Sequence, residues 1–258
     1  MFQHNSPEFA AKTDIGMVRT QNEDAVLVNE SLHLAVLADG MGGYNAGEIA
    51  SSIATVAIQE ELESQLQEYH RQDQPEGEPP IRQWLMESVR QANNAIINAA
   101  RREPEYRGMG TTVVVALFRD DCVDIAHVGD SRAYRFRDGQ LEQLTRDHSL
   151  LQEQIEAGLI RAEDAQFAYN RNVVTRAVGV DFQLVVDVNQ HSIQPGDLYL
   201  LCSDGLSDRM PASDIARLIS DAQGDIKKAC NMLVQAANAC GGQDNVSVIL
   251  IKIPEKTE

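Results

Sequence analysis

The sequence predicts an α+β fold built mainly from antiparallel sheets, with helices packed outside stacked sheets. Short apolar strands cluster as hairpins while helices are inserted in pairs, and strictly alternating βαβα units are absent. Several strands are also apolar on both faces, so each sheet needs cover on two sides.

Taken in order, residues 25–29 and 32–38 are apolar, β-branched runs separated by a turn and predict a hairpin. Two helices follow. The first carries Ile49, Ile53, Val56, Leu62 and Leu66, and the second Ile81, Trp84, Leu85, Val89, Ala92, Ile96 and Ala99. The tract 70–80 between them is rich in Pro, Gly and charge and predicts a surface loop. Strands return at 111–118, 122–128, 133–137 and 141–144, the last two joined by the hairpin turn Asp138-Gly139. Residues 147–158 are helix-like, and the stretch on to Gly179 is irregular. Strands at 184–188 and 198–201, a helix with Ile226, Ala229, Cys230, Leu233, Val234 and Ala237 on one stripe, and a strand at 246–253 complete the chain.

With 258 residues and 43% apolar content the chain can bury a full core. Its net charge of −17 argues against nucleic acid or an anionic membrane as partner, because both are reached through basic patches. An acidic protein acting on an anionic substrate needs a local positive site, and bound cations would supply one. The four cysteines form no CxxC pair, so buried free thiols are expected in a reducing compartment. Residues 1–12 lack the apolar stretch of a signal peptide, and no apolar run is long enough to span a bilayer. A cytoplasmic location is expected.

Four places put a carboxylate at one end of an apolar strand beside glycine or another small residue. They are Asp39-Gly40 after 34–38, Asp130 after 125–128, Asp204-Gly205 after 198–202, and Asp244 before the last strand. A carboxylate there is costly unless it is paired or coordinates a cation. Hard oxygen ligands select Mg²⁺ or Mn²⁺, and an uncrowded glycine carbonyl can add a ligand. Asp-Gly is equally a turn signal, as Asp138-Gly139 illustrates, and taken singly Asp39 suits a ligand and a turn or helix cap about equally. Upstream, Arg19 precedes Glu23 and Asp24; the guanidinium could bind phosphate while the acids face metal-bound water.

In this order the blocks resemble the protein phosphatase 2C family of metal-dependent protein phosphatases, in its short bacterial form. The matching residues are Arg19 with Asn22-Glu23-Asp24, Ala38-Asp39-Gly40-Met41-Gly42-Gly43, Gly108-Met109-Gly110-Thr111-Thr112, and His127-Val128-Gly129-Asp130-Ser131-Arg132. Thr145-Arg146-Asp147-His148, Thr175-Arg176-Ala177-Val178-Gly179, Ser203-Asp204-Gly205-Leu206 and Gly241-Gly242-Gln243-Asp244-Asn245 follow. The resemblance implies one catalytic domain over residues 1–258, with a core of about 13–253 and a flap at about 149–175. It implies a sandwich of two antiparallel sheets flanked by helices on both outer faces.

It also implies a cation site holding two to three Mn²⁺ or Mg²⁺ per chain. Asp39 would bridge two metals, the Gly40 carbonyl would bind one, and Asp204 with Asp244 the other. Glu23 and Asp24 would act mostly through metal-bound waters, Asp130 with Asp204 would form a looser third site, and Arg19 would hold the phosphate. The implied reaction is hydrolysis of phosphoserine and phosphothreonine without a covalent intermediate. Its nucleophile is a hydroxide bridging two cations roughly 3.5–4 Å apart. The expected setting is reversal of a bacterial Ser/Thr kinase, with the kinase or a phosphopeptide-binding protein as substrate and the phosphatase monomeric.

One departure concerns the proton donor. Family members commonly carry a histidine after the Asp-Gly or Gly-Gly pair, where this chain has Met41 and Tyr44. A tyrosine of ordinary pKa about 10 donates sluggishly, so a metal-bound water is preferred, with His148 and His127 as lesser candidates. Arg161, Phe167, Tyr169 and Arg171 in the flap could touch a protein substrate. Two rival functions are a non-catalytic phosphoprotein-binding relative, which loss of Asp39, Asp204 or Asp244 would mark, and a hydrolase of small phosphate esters or nucleotides. All three aspartates are present, and no nucleotide-binding loop motif supports the latter.

Overall fold

The computed structural model describes residues 6–43, 46–71, 79–161, 164 and 173–255. Two antiparallel sheets stack face to face. One contains β1 (Glu8–Asp14), β7 (Arg132–Arg137), β8 (Gln140–Gln143), β10 (Leu198–Cys202) and β11 (Val246–Lys252), in the order β1-β11-β10-β7-β8. The other runs β2-β3-β5-β6-β9, formed by Asp24–Asn29, Leu34–Met41, Val113–Phe118, Cys122–Val128 and Asp187–Ser192, with the short β4 (Gly110–Thr111) paired to the end of β3.

Helices cover both outer faces, giving the four-layer arrangement expected. α1 (Ala46–Arg71) and α2 (Ile81–Arg102) pack on the second sheet around Leu34, Val36, Val113, Val115, Ile58 and Leu85. The short α4 (Asp204–Ser207), α5 (Ala212–Asp221) and α6 (Ile226–Ala239) pack on the first sheet around Leu200, Leu250, Ile215 and Leu233. Between the sheets lie Leu37, Val114, Phe118, Ile125, Tyr199, Leu201 and Ile249. Strands such as β5 and β11 therefore bury side chains on both faces, which explains their continuous apolar runs.

Several expectations change in detail. β1 carries Lys12 and Asp14 and has no clear two-residue alternation, so it escaped sequence reading; its register is set by pairing along all of β11. α5 was also unforeseen. The run 184–188 is extended and alternates in burial, but strand pairing begins only at Asp187, opposite His127 near the end of β6. The helix at 147–158 shortens to α3 (Leu150–Glu156), capped by the Ser149 hydroxyl accepting from the Gln152 N–H. Residues 70 and 71 belong to α1, while 72–78 of the expected loop lie outside the described residues. Cys122, Cys202 and Cys230 are buried free thiols, but Cys240, beyond the end of α6, is exposed. Among the described residues no helix is long and apolar enough to cross a membrane.

The inward face of α1 also differs. Its buried residues are mostly small (Ala46, Gly47, Ala50, Ser51, Ala54, Thr55) with Ile58 and Leu62 beyond, whereas Val56 is 49% exposed. Small side chains let the helix axis approach β3, which brings the helix start to the strand end. Leu85→Ala in α2 is accordingly expected to cost about 2–5 kcal/mol in denaturant unfolding. Val56→Ala should change stability by less than about 0.5 kcal/mol. Comparable losses for the two would contradict the burial described.

Candidate metal centre

The site lies where strand ends from both sheets converge. β2 and β3 pair so that Asp24 stands directly opposite Asp39. Like charges directly opposite on neighbouring strands repel, and here hydrogen bonds to Thr112 and Ser203 hold the two residues in place. The Asp39 N–H donates to the Thr112 hydroxyl (3.1 Å), and the Asp39 carbonyl accepts from the Thr112 N–H (2.8 Å). Asp24 Oδ2 accepts from the Ser203 hydroxyl (3.0 Å), whose oxygen in turn accepts from the Ser247 N–H (2.9 Å). The second oxygen, Asp24 Oδ1, is buried with no hydrogen-bond partner among the described residues.

Beside this pair the chain closes tightly. A Cβ on Gly40 would stand 2.2 Å from the Gly47 carbonyl oxygen and 2.5 Å from that of Glu23, so only glycine fits there. The Gly40 N–H donates to the Glu23 carbonyl (3.1 Å), which also accepts from the Ser51 hydroxyl (2.6 Å). The start of α1 thereby meets the Glu23 carboxylate, which gains from the Gly47 N–H. Asn245 ties in the N-terminal segment: its side chain accepts from the Glu23 N–H (2.9 Å) and donates to the carbonyls of Ile15 (3.0 Å) and Gln21 (2.9 Å).

The resulting cleft, about 510 Å³, is lined by Arg19, Glu23, Asp39, Gly40, Asp130, Asp204 and Asp244, with Val173 and Val174 on one wall. Seven of the eight site residues expected from sequence share this cleft, and Asp24 lies directly beneath, against Asp39. Arg19 Nη2 meets Asp244 Oδ2 at 2.8 Å. That pair is exposed (51% and 32% for the two side chains), and such contacts contribute about 0–1 kcal/mol, so the guanidinium is readily released to another anion.

The electrostatics are those of crowded acids. Burial pushes Asp39 and Asp204 well above the usual carboxylate range, and the neighbouring acids, Asp24 and Asp130 among them, push further. Burial raises Asp24 and Asp130 to about 6, and it raises Glu23 as well. An orphaned buried oxygen, an exclusively hard oxygen donor set and this mutual repulsion fit one kind of occupant, divalent cations.

The histidines behave differently. His127 and His148 are buried and stack at 4.7 Å, away from the cleft lining, and burial lowers the pKa of both. Neither is placed to give a proton to a leaving group, and Met41, which does line the cleft, has none to give. Tyr44, Phe167, Tyr169 and Arg171 lie outside the described residues. Sequence reading assigned no role to Thr112, Ser203 or Asn245. Their signal was membership of the blocks that carry the family resemblance.

A two-sheet sandwich with a carboxylate-lined cleft at its strand ends has the make-up of a metal-dependent enzyme. The sequence profile of the protein phosphatase 2C family matches residues 18–244. The chain belongs to the protein phosphatase 2C family. It is 34% identical over 244 residues to the serine/threonine phosphatase stp of Listeria monocytogenes, covering 93% of this chain and 94% of the relative. It is 36% identical over 245 residues to the serine/threonine protein phosphatase PstP of Mycobacterium tuberculosis, covering 95% of this chain and 45% of that longer one. The crystal structure of the M. tuberculosis PstP/Ppp phosphatase superposes with a TM-score of 0.86 at 34% identity, over 96% of this chain and 99% of the other. A PstP catalytic domain solved in complex with two manganese ions superposes with a TM-score of 0.82 at 34% identity, over 96% of this chain and 99% of that one.

The raised carboxylates make stability depend on pH. In metal-free protein the unfolded chain ionises Asp24 and Asp130 near the ordinary value of about 4, whereas the folded chain does so only near 6. Their stabilisation of the fold is complete below the unfolded value and is lost as pH rises through about 6. Metal-free protein is expected to melt at a lower temperature at about pH 7.5 than at about pH 5, and saturating Mn²⁺ should remove the difference. Calorimetry showing equal melting temperatures without metal would refute this account of the cleft.

Proposed function

We propose that this chain is a metal-dependent serine/threonine protein phosphatase acting as a single catalytic domain, with a core of about residues 13–253. The observation that carries the reading is the pairing of Asp24 and Asp39 across β2 and β3 with one buried carboxylate oxygen left unpartnered. Membership of the family, and the naming of its bacterial relatives as serine/threonine phosphatases, support it.

Asp39 and the Gly40 carbonyl would hold one of two principal Mn²⁺ or Mg²⁺ ions, with Asp39 shared, and Asp204 with Asp244 the other. Asp130 with Asp204 would hold a third, and Glu23 and Asp24 would contribute through waters. Bound cations would supply a water activated near neutral pH and positive charge for the phosphoryl oxygens.

The chain's own residues account for the remaining chemistry. Arg19, at the cleft mouth, exchanges its weak contact with Asp244 for two parallel hydrogen bonds to a phosphate. Burial at the strand ends keeps the acids in a low dielectric, where their charge acts strongly on the cleft contents. The Thr112 hydroxyl, accepting from the Asp39 N–H, and the Ser51 hydroxyl, donating to the Glu23 carbonyl, hold Asp39 and the Glu23 segment fixed, so little reorganisation accompanies turnover. With Met41 in the cleft and both histidines buried elsewhere, we take the proton for the departing serine or threonine oxygen to come from water.

The proposed setting is cytoplasmic, with the chain as a monomer that reverses the work of a bacterial Ser/Thr kinase. The kinase itself or a phosphopeptide-binding protein would be the substrate. Asp39→Asn and Asp204→Asn are each expected to lower Mn²⁺-dependent turnover of a phosphothreonine peptide by about 10²–10³-fold, with far-UV circular dichroism unchanged. Wild-type rates at saturating Mn²⁺ in either variant would overturn the site assignment. Arg19→Ala should chiefly raise KM, and an unchanged KM would remove its phosphate role. Turnover of nucleotides in preference to phosphopeptides would favour a small-ester hydrolase instead.

A further inference from the structure

Outside the cleft lining, one buried polar cluster has no part in the chemistry so far described: His127, His148 and Asp187, with Arg176 beside them. One ligand atom from each of the first three lies within 4.8 Å of the others. The set has the composition of a transition-metal site, but the lone pairs of His148 and Asp187 are already committed, and only His127 Nδ1 lacks a hydrogen-bond partner among the described residues.

The Gly129 N–H donates to His148 Nδ1 at 3.0 Å. Nδ1 is therefore the unprotonated nitrogen, and the ring proton sits on Nε2, which faces Asp187 Oδ2 at 3.2 Å. A cation on Nε2 would drive the proton to Nδ1, against the buried Gly129 N–H, and strand that donor at a cost of about 1–3 kcal/mol. Arg176 Nη1, 3.0 Å from Asp187 Oδ1 and 3.0 Å from His148 Nε2, adds a positive charge at the same spot. These features disfavour a metal.

What the cluster grips is the residue before Asp130. The His148 N–H donates to the Gly129 carbonyl (2.9 Å) while the His148 ring accepts from the Gly129 N–H, so one residue satisfies both polar backbone groups of Gly129. Gly129 has φ +106° and lies against Thr112, where an added Cβ would come within 2.6 Å. Thr112 holds the Asp39 N–H and shares a 2.7 Å hydrogen bond with the Ser131 hydroxyl. Asp130 is thus held from both sides, by Gly129 before it and Ser131 after it, and through Thr112 in fixed relation to Asp39. Arg132 further binds this loop to the residue before His148, with Nε and Nη2 on Asp147 Oδ2 at 2.9 and 2.6 Å.

His148 also reaches the cleft wall. Its carbonyl accepts from the Thr175 N–H (2.9 Å), and the Leu150 N–H donates to the Val173 carbonyl (2.8 Å). The segment carrying Val173 and Val174 is therefore hung on the residue that clamps Gly129. Burial, helped by neighbouring His127, holds the His148 ring at about 4, consistent with a neutral acceptor.

We propose that His148 is a positioning residue whose Nδ1 lone pair, oriented by Asp187, which Arg176 holds in turn, fixes the Gly129-Asp130 backbone and so sets the Asp130 carboxylate for cation binding. This rests on the proposed assignment of Asp130 as a ligand. The test compares replacements that keep or remove an acceptor at the Nδ1 position. The oxygen of His148→Asn can occupy that position, the amide of His148→Gln reaches only to Nε2, and His148→Phe keeps the ring without a lone pair.

The readouts are Mn²⁺ binding by calorimetry and Mn²⁺ titrations of phosphopeptide turnover. His148→Phe and His148→Gln should raise the Mn²⁺ concentration for half-maximal turnover by about 10–100-fold, and His148→Asn should restore most of it. Binding at the tighter sites should be unchanged in all three. Should His148→Phe fail to fold, the Asn and Gln pair decides alone. A wild-type Mn²⁺ requirement in folded His148→Gln overturns the proposal, as does an Asn variant no better than Gln. Absence of any Mn²⁺ binding to wild-type protein would instead sink the metal-site assignment on which it rests.

Discussion

The rest of the structure is organised around the confinement of several carboxylates where strand ends from two face-to-face sheets converge. Asp24 and Asp39 face each other across β2 and β3, and Asp204 opens α4, separated from the end of β10 by Ser203 alone. Burial limits their screening by solvent, and Arg19 touches only Asp244 among them. Left alone, such an arrangement opposes folding, because burial disfavours the charged form and each neighbouring charge disfavours it further. The sandwich tolerates it because the large apolar layers above, between and below the sheets outweigh a local cost of this kind.

Precision at the cleft comes from backbone and small side chains more than from the acids themselves. Gly40 lets the start of α1 touch the end of β3 and the Glu23 segment, and the small inward face of α1 makes that approach possible. Thr112, Ser203 and Asn245 each tie one acidic segment to another across long stretches of sequence. His148 does the same for the Asp130 loop with two bonds to a single glycine. The common device is a neutral hydrogen-bonding group that accepts from a buried backbone N–H, and Ser203 also donates to Asp24 Oδ2.

Much of this was legible in the sequence because its signals are local. A carboxylate after an apolar run and before glycine recurs at Asp39 and Asp204, and the hairpin turn at Asp138-Gly139 shows in the dipeptide itself, whose two residues have φ of 52° and 76°. The less legible parts depend on partners. β1 mixes charge with small residues and is a strand only because β11 offers a complete edge. The run 184–186 is not a paired strand because β6 ends at Val128, one residue past its last pair with β9, His127 opposite Asp187. On α1 the apolar positions suggested one face, but the helix packs by its alanines, leaving Val56 half exposed.

By itself the sequence determined the element types, the antiparallel class and which residue types could bind cations, since periodicity and the chemistry of a side chain are properties of short segments. Only the tertiary structure decided which oxygens face which. The opposition of Asp24 and Asp39 follows from strand register, the weakness of the Arg19–Asp244 contact from its exposure, and the tautomer of His148 from a backbone N–H at Gly129. Each of those is a relation between groups whose separation in space is fixed by packing and left unspecified by their spacing along the chain.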